Sequence, residues 1–412
     1  MKRLAGILMA WILLLTPAMS LADLTILQNR ADIAPALAAY AKEYTARTGV
    51  KVKVVTVAGA GYEDALRRSM NSGSPADIFV IDSYSQRDRY AHLLAPLDGA
   101  AWVDATRSEL KSGDTVVGFP VALEGYGLVA NLSLLEKAGI DPSSLTNVSA
   151  FRRALESLEG QKDALGLTHV IALSAHPTAG PARQLGEMGF NLYLSGGLGW
   201  KDTAAVDRAL QGDVSISRFR AYCSYLELLF QYSPRERLGT DTWEKPIEDF
   251  FNGKAAFYVG DTRGDLVYNA LQVPFPMGFI PAAYLMGDTG GVVADAVSWY
   301  VCRNGNHLDQ AKAFLNDLAM TENGLQYMML RAHLTPAFTH ADPPETAPLS
   351  RSLLSWYRSG KVFRNWMPAM PTQFRTASMG ELTHMLATGT VDADGFEKLM
   401  RQAVAGIPGM ER

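Results

Sequence analysis

Three short apolar runs separated by two amphipathic stretches open the chain, and this alternation constrains the fold more than any other feature. Leu24 to Gln28 reads as a strand. Asp32 then opens a helix with Ile33, Leu37, Tyr40 and Tyr44 at apolar positions, closed by Gly49 as a C-terminal stop. Val50 to Val57 reads as a second strand, Glu63 to Asn71 as a second helix, and Ala76 to Ile81, after the Gly73/Pro75 break, as a third strand. Such alternation with short links predicts a largely parallel sheet covered by helices. The pattern returns in strands His169 to Leu173, Ala255 to Val259 and Ala296 to Cys302. Between and after them come helices Ser217 to Tyr232, Trp243 to Asn252 with Gly253, and Leu308 to Ala319. The last third is mostly helical, ending in Asp394 to Val404, and no internal repeat, low-complexity tract or long linker interrupts the chain.

The N-terminus reads as an address. Met1, Lys2 and Arg3 precede the apolar run Leu4 to Leu15, and Pro17, Ser20 and Ala22 follow, in the order of a secretory signal peptide over residues 1–22 with cleavage after Ala22. The run is 12 residues long, where a spanning helix needs roughly 20, and no cysteine lies near the cleavage point to accept a lipid. The expected product is freely soluble outside the cytoplasm, in a bacterial periplasm; the sequons at Asn131 and Asn147 matter only in a eukaryotic source. About 390 residues then remain, enough for two α/β lobes. The chain carries 42 acidic and 38 basic residues, a net charge of −4 that becomes −6 once Lys2 and Arg3 leave, and 48% of it is apolar. That balance excludes disorder and offers nothing to nucleic acid or an anionic membrane.

Motifs for catalysis are missing. There is no G-x-S-x-G, H-E-x-x-H or C-x-x-C, and the Gly59/Gly61 pair lacks the third glycine of a dinucleotide loop. The seven histidines are scattered with no pair at helical ligand spacing, so neither a metal nor a cofactor is expected. Cys223 falls in a helical apolar pattern and Cys302 ends a strand-like run, so both read as buried free thiols rather than a pair.

In open α/β sheets ligands bind beyond the carboxyl ends of strands, so the residues after each apolar run carry the information. They are Asn29 and Arg30; Asp82, Ser83 and Tyr84; Glu124, Gly125 and Tyr126; and Asp261, Thr262 and Arg263. Carboxylates and amides suit vicinal hydroxyls, and aromatic faces suit the apolar face of a sugar ring, so the set is apt for a polyol. Each also has a plainer reading: Asp82 as a helix cap, Glu124 as a turn carboxylate, Arg263 as a surface ion pair.

The stretch Ser74 to Asp82 (SPADIFVID), followed by Leu93 to Asp98 (LLAPLD), resembles the family 1 extracellular solute-binding proteins of ABC importers. So do Gly118 to Asn131 (GFPVALEGYGLVAN), which is similar to the lobe-crossing segment, Leu134 to Ile140 (LLEKAGI), and Phe250 to Phe257 (FFNGKAAF). Ala311 to Leu315 (AKAFL) and Leu334 to Pro336 (LTP) continue the order, from about residue 24 to 405. The resemblance implies a two-lobed, type II periplasmic binding protein fold, with hinge-joined lobes and a ligand cleft between them. It places lobe 1 at residues 23–123 plus 283–326 and lobe 2 at 124–282 plus 327–412. It implies a monomer that binds its solute unchanged and delivers it to the transmembrane subunits of an ABC permease.

Carried over by position, Asp82 falls where maltose-binding-type members place a hydroxyl-binding carboxylate, and Glu124 where they use a glutamate beside the hinge. Asp261, Thr262 and Arg263 fall where many relatives present an aromatic stacking residue, and no Trp stands there. That departure, with Arg364 and Arg375 in the C-terminal region, hints at an anionic group on the solute. Trp243, Trp366 and Tyr126 are then the candidates for stacking. A neutral saccharide or glycoside is the first expectation and an anionic sugar or glycerophosphate-type solute the second. A secreted glycoside hydrolase is the third, for which Asp82 and Glu124 would have to act as a carboxylate pair.

Overall fold

In the computed structural model, which describes residues 24–410 other than 179, the opening alternation forms a parallel core. Strand β1 (Leu24–Gln28) lies between β2 (Val52–Thr56) and β3 (Ile78–Ile81), parallel to both, with helices Ala34–Thr48 and Gly61–Met70 making the crossovers. Gly49 ends the first helix in the left-handed region at φ 79°, its N–H donating to the Thr45 carbonyl. The helix start differs from expectation: Ile33 occupies the cap position without a side-chain bond, because the Asp32 carboxylate accepts from Arg30 instead. The leader over residues 1–22 lies outside the described residues.

The sheets are mixed rather than largely parallel, which corrects the sequence reading. Beyond β3 come β11 (Trp299–Cys302), β5 (Thr115–Pro120) and β4 (Leu110–Ser112), each antiparallel to its neighbour. A second sheet orders β12 (Val362–Phe363), β10 (Val292–Asp295), β6 (Glu124–Asn131), β8 (Phe257–Asp261) and β7 (Ile171–Ala172), with β9 (Met277–Phe279) also paired to β6. The physical reason is that the chain leaves the first sheet along β5 and returns along β11. A returning strand beside a departing one must run the opposite way.

Boundaries moved where side chains decide them. The strand expected at His169 to Leu173 shortens to Ile171–Ala172, and that expected at Ala255 to Val259 shifts to Phe257–Asp261, which brings Asp261 to a strand end. Helices Ile216–Gln231, Glu244–Phe251, Leu308–Met320 and Ala393–Ala405 stand within a residue or so of the expected spans. Helix Pro181–Ser195 has no counterpart in the sequence reading.

Two separate cores result. The first gathers Ile26, Phe79, Ile81, Trp102, Phe119, Trp299 and Phe314, and also Tyr327, Met328 and Leu334. The second sheet is covered on both faces: strand alternation sends Leu128 and Ala130 toward Phe151, Phe190 and Tyr222, and Val129 toward Phe250, Tyr258 and Leu353. Ala283, Tyr284 and Val293 belong with this second core. Cys302 is buried in the first core and Cys223 in the second, and both are free thiols.

Three segments cross side by side between the cores. Residues 121–123 join β5 to β6, residues 296–298 join β10 to β11, and residues 333–335 run alongside. Pairing continues through the crossing: Pro120 faces Trp299, the Val121 N–H donates to the Ser298 carbonyl at 3.1 Å, and Glu124 faces Asp295. On the other side the Leu123 N–H donates to the Thr335 carbonyl at 2.7 Å. Three adjacent chain crossings along one line are the arrangement in which rotation between two lobes concentrates. Among the described residues no helix is long and apolar enough to cross a membrane.

Candidate functional site

The crossing segments form the floor of a cleft of about 1020 Å³ whose walls come from the two cores. Ala122, Leu123, Val297, Leu334 and Thr335 make the floor. His333 lines it with φ 50°, one of two non-glycine residues in the left-handed region among those described.

One wall is polar and comes from strand ends of the first sheet. Asp82 follows β3, and Ser83, not Asp82, caps helix Tyr84–Tyr90 by accepting from the Gln86 N–H at 3.1 Å. Freed from capping, the Asp82 carboxylate accepts from Asn29 Nδ2 at 2.6 Å. Burial pushes its pKa above the usual carboxylate range, opposed by the Asn29 bond and by the charge of Arg375. Arg30 follows β1 and donates to Asp32 at 2.6 Å and to Glu124 Oε1 at 3.1 Å. Burial likewise raises the Glu124 carboxyl, with Arg30 drawing it back.

The opposite wall comes from the second sheet and two helices. Gly180 at φ 91° turns the chain into Pro181 at the first position of helix Pro181–Ser195, a backbone state that favours glycine. The first two turns of that helix then present Arg183, Gln184 and Glu187 to the cleft. Gln184 Nε2 donates to Asp261 Oδ2 at 3.4 Å, Arg183 pairs with Glu187 at 2.9 Å, and Arg375 pairs with Glu187 at 3.3 Å. Arg263 closes a fork on Asp261, its Nε 3.0 Å from each carboxylate oxygen. Tyr126 stands among Asn365, Glu187 and Arg375, and burial raises its hydroxyl well above the ordinary phenol value. Trp243, Ile247 and Phe251, one face of helix Glu244–Phe251, complete this wall.

Of the residues read from the sequence, Arg30, Asp82, Ser83, Glu124, Tyr126, Asp261, Thr262, Arg263 and Arg375 meet at the cleft, as does Trp243. Asn29 stands behind Asp82 as its donor. Tyr84 and Trp366 do not line the cleft. Tyr84 packs between Trp299 and Trp366, and Trp366 is 6% exposed with Arg364 over its ring at 4.4 Å. Arg364, read as a possible anion contact, donates to the Tyr84 hydroxyl at 2.9 Å and faces buried Asp295 at 3.5 Å, so its charge is committed within the hinge. Sequence reasoning missed Arg183, Gln184, Glu187, Gln86 and His333; the Gly180-Pro181 helix start was the signal for the first three. Among the described residues no group of three or more His, Cys, Asp or Glu is placed to hold a metal ion.

Comparison with known proteins adds the following. The sequence profile of a family described as bacterial extracellular solute-binding protein matches residues 39–350. No curated protein sequence matches the chain. Among solved structures, the chain is similar to the binding protein MsmE of Bacillus subtilis in an open conformation, with a TM-score of 0.75 and 17% identity over 92% of this chain and 96% of that one. It is similar to the apo form of RafE from Streptococcus pneumoniae, with a TM-score of 0.74 and 14% identity over 94% of this chain and 98% of that one. It is also similar to a sugar transporter protein of Bacillus licheniformis in complex with stachyose, with a TM-score of 0.63 and 17% identity over 94% of this chain and 100% of that one. These identities carry the likeness of fold.

Proposed function

Because the chain belongs to the bacterial extracellular solute-binding proteins, we propose that it is the substrate-binding component of an ABC importer, and that its cleft holds a neutral saccharide or glycoside. Membership in this family makes it a receptor rather than a hydrolase: it holds its solute and releases it unchanged. Two neighbours of the same fold are described in complex with raffinose and with stachyose, which supports a saccharide.

The observation that carries the neutral reading is the state of the cleft arginines. Arg30 is matched by Asp32 and Glu124 and Arg263 by Asp261; Arg183 and Arg375 share Glu187, with Arg375 also acting on Asp82, so the lining sets five carboxylates against four arginines. An anionic solute needs a cation with no carboxylate already on it, because breaking an existing pair leaves that carboxylate uncompensated. A sugar hydroxyl can instead join such pairs, accepting from a guanidinium while donating to the carboxylate beside it. Asp82 and Glu124 serve as hydroxyl acceptors from the first wall and the hinge, with Ser83, Tyr126, Asp261, Thr262, Arg263 and Arg375 around the same space.

The lobes divide at the three crossing segments, near residues 121–123, 296–298 and 333–335. The packing of Tyr284 and Val293 in the second core and of Tyr327 and Leu334 in the first supports placing the division there, later along the chain than residues 283 and 326. The mature protein starts at Asp23, works as a monomer in the periplasm, and in its closed form meets the permease subunits. A ligand that touches both walls favours closure only through its greater affinity for the closed state. A thermal-shift screen of neutral and acidic saccharides tests the reading, since a ligand at about a hundred times its Kd adds about 2.7 kcal/mol of stability. A neutral saccharide that raises the melting temperature is the expected result; stabilisation by acidic solutes alone overturns it.

A further inference from the structure

One end of the cleft differs in chemistry from the rest. Ile247 and Phe251 stand i, i+4 on one face of helix Glu244–Phe251, Trp243 precedes them by the same spacing at the helix cap, and Val267 of helix Gly264–Leu271 packs in one apolar cluster with Ile247, Phe251 and Tyr258. Ile247 and Val267 are half-buried: they are packed against the core yet still line the cavity, so each keeps apolar surface turned to the cleft. Trp243 is half-buried too, and its indole Nε1 lies 3.5 Å from where a Cβ on Gly180 would stand, which sets it beside the start of the polar helix.

The backbone is shaped to make this room. A Cβ on Gly264 would sit 2.7 Å from Leu349 Cδ1, 2.9 Å from the Tyr258 hydroxyl and 3.5 Å from Phe251 Cζ. Glycine there lets helix Gly264–Leu271 close down on the aromatic floor, bringing Val267 over it. Nothing comparable faces it: the first wall offers Arg30, Asp32, Asp82, Ser83 and Gln86, all polar.

We infer that this end is a subsite for an apolar aglycone, so that the preferred solute is a glycoside carrying an aryl or alkyl group rather than a free sugar. The inference rests on the saccharide reading above and specifies it. A sugar ring can use one aromatic face for its C–H surface while its rim of hydroxyls seeks polar partners. An aliphatic pair such as Ile247 and Val267 offers no such partner, and a hydroxyl placed against it would lose its bonds to water without replacement. An aromatic ring or short alkyl chain loses nothing there and releases water from both surfaces. The neighbouring Asp261 and Arg263, already paired, supply the polar boundary at which the glycosidic oxygen and the first sugar ring begin.

The test uses matched probes: methyl and phenyl glycosides of glucose, galactose and mannose in both anomers, and raffinose as an oligosaccharide, titrated by calorimetry into the mature protein. For the sugar that binds, the phenyl glycoside is expected to bind about tenfold or more tighter than its methyl partner. Val267→Thr, which keeps the branched outline but adds a hydroxyl, and Ile247→Gln should both remove most of that advantage, bringing the phenyl glycoside close to the affinity of its methyl partner. Equal affinity of phenyl and methyl partners, or an advantage that survives both substitutions, overturns the subsite and leaves the saccharide reading standing. Failure of every glycoside and of raffinose to bind overturns both.

Discussion

Replacing Asp82 by Asn should weaken binding and strengthen the empty protein at the same time. The substitution keeps the shape of a side chain that accepts from Asn29 Nδ2 at 2.6 Å and removes only its charge. In the complex, a hydroxyl donating to an ionised carboxylate is worth about 1.5–3 kcal/mol, so Kd should rise roughly tenfold to a hundredfold or slightly more. In the empty protein the sign reverses. Burial raises the Asp82 pKa above its unfolded value, so the folded state holds the proton more tightly and ionisation costs stability as pH rises through the folded pKa. The amide escapes that cost: the variant should match the wild type in strong acid and exceed it at neutral pH. Calorimetric titration with the saccharide found by the thermal-shift screen measures the first effect, and urea unfolding at pH 3 and pH 7 without ligand measures the second. A variant that loses affinity and neutral-pH stability together would refute the reasoning, because Asp82 would then be a structural carboxylate.

Other expectations follow from the same geometry. Arg263→Ala should change neutral saccharide affinity by less than about tenfold, because Arg263 is largely exposed and already forked on Asp261; calorimetry showing a larger loss contradicts that pairing. Cys223 and Cys302 are buried and their thiols pushed up to about 12, so neither should label quickly in the native protein. Both should label on unfolding without reductant, as read by intact mass. Asp295, beneath the hinge and facing Arg364, has its pKa pushed up by burial to about 6. Its contribution to stability should therefore decline as pH rises from about 4 to about 6, and Asp295→Asn should flatten the urea-derived stability profile across that window. Gly180→Ala should cost roughly 1 kcal/mol in urea unfolding through its φ of 91°.

The opening half of the first lobe was legible because its signals are local. Leu24–Gln28, the helix closed by Gly49 and the run ending at Ile81 each declare themselves by periodicity and a terminator within a few residues. Strand direction was not legible, since β11 is antiparallel to β3 only because the chain crosses the hinge and returns some two hundred residues later. Helix Pro181–Ser195 escaped for a different reason. Phe190, Leu192, Tyr193 and Leu194 are all buried, so in the last two turns no polar face marks a period, and Gly186 and Gly189 argue locally against a helix. Those glycines are needed by packing: a Cβ on Gly186 would lie 2.6 Å from the Met379 carbonyl, and one on Gly189 2.7 Å from Tyr222.

At the cleft the same division holds. Asp82 was legible because it follows β3 in the parallel part of the first sheet, whereas Glu124, which opens β6 just past the crossing, and Asp261, which ends the antiparallel β8, were found only because each directly follows an apolar run. Which aromatic rings reach the cleft was not legible. Trp366 and Trp243 look alike in sequence, yet Arg364 stacks on the first and holds it in the wall, while the second stands free enough to line the cavity. Arg183, Gln184 and Glu187 depend on a helix face that only tertiary packing selects.

In the proposed function a saccharide bridges the two walls and closes the lobes without being altered. Small-angle X-ray scattering of the mature protein, alone and with the bound saccharide at about a hundred times its Kd, tests it in one measurement when the ligand is recovered and analysed afterwards. The account predicts a smaller radius of gyration at saturation and an intact sugar. An unchanged radius at saturation, or a cleaved sugar, would contradict it.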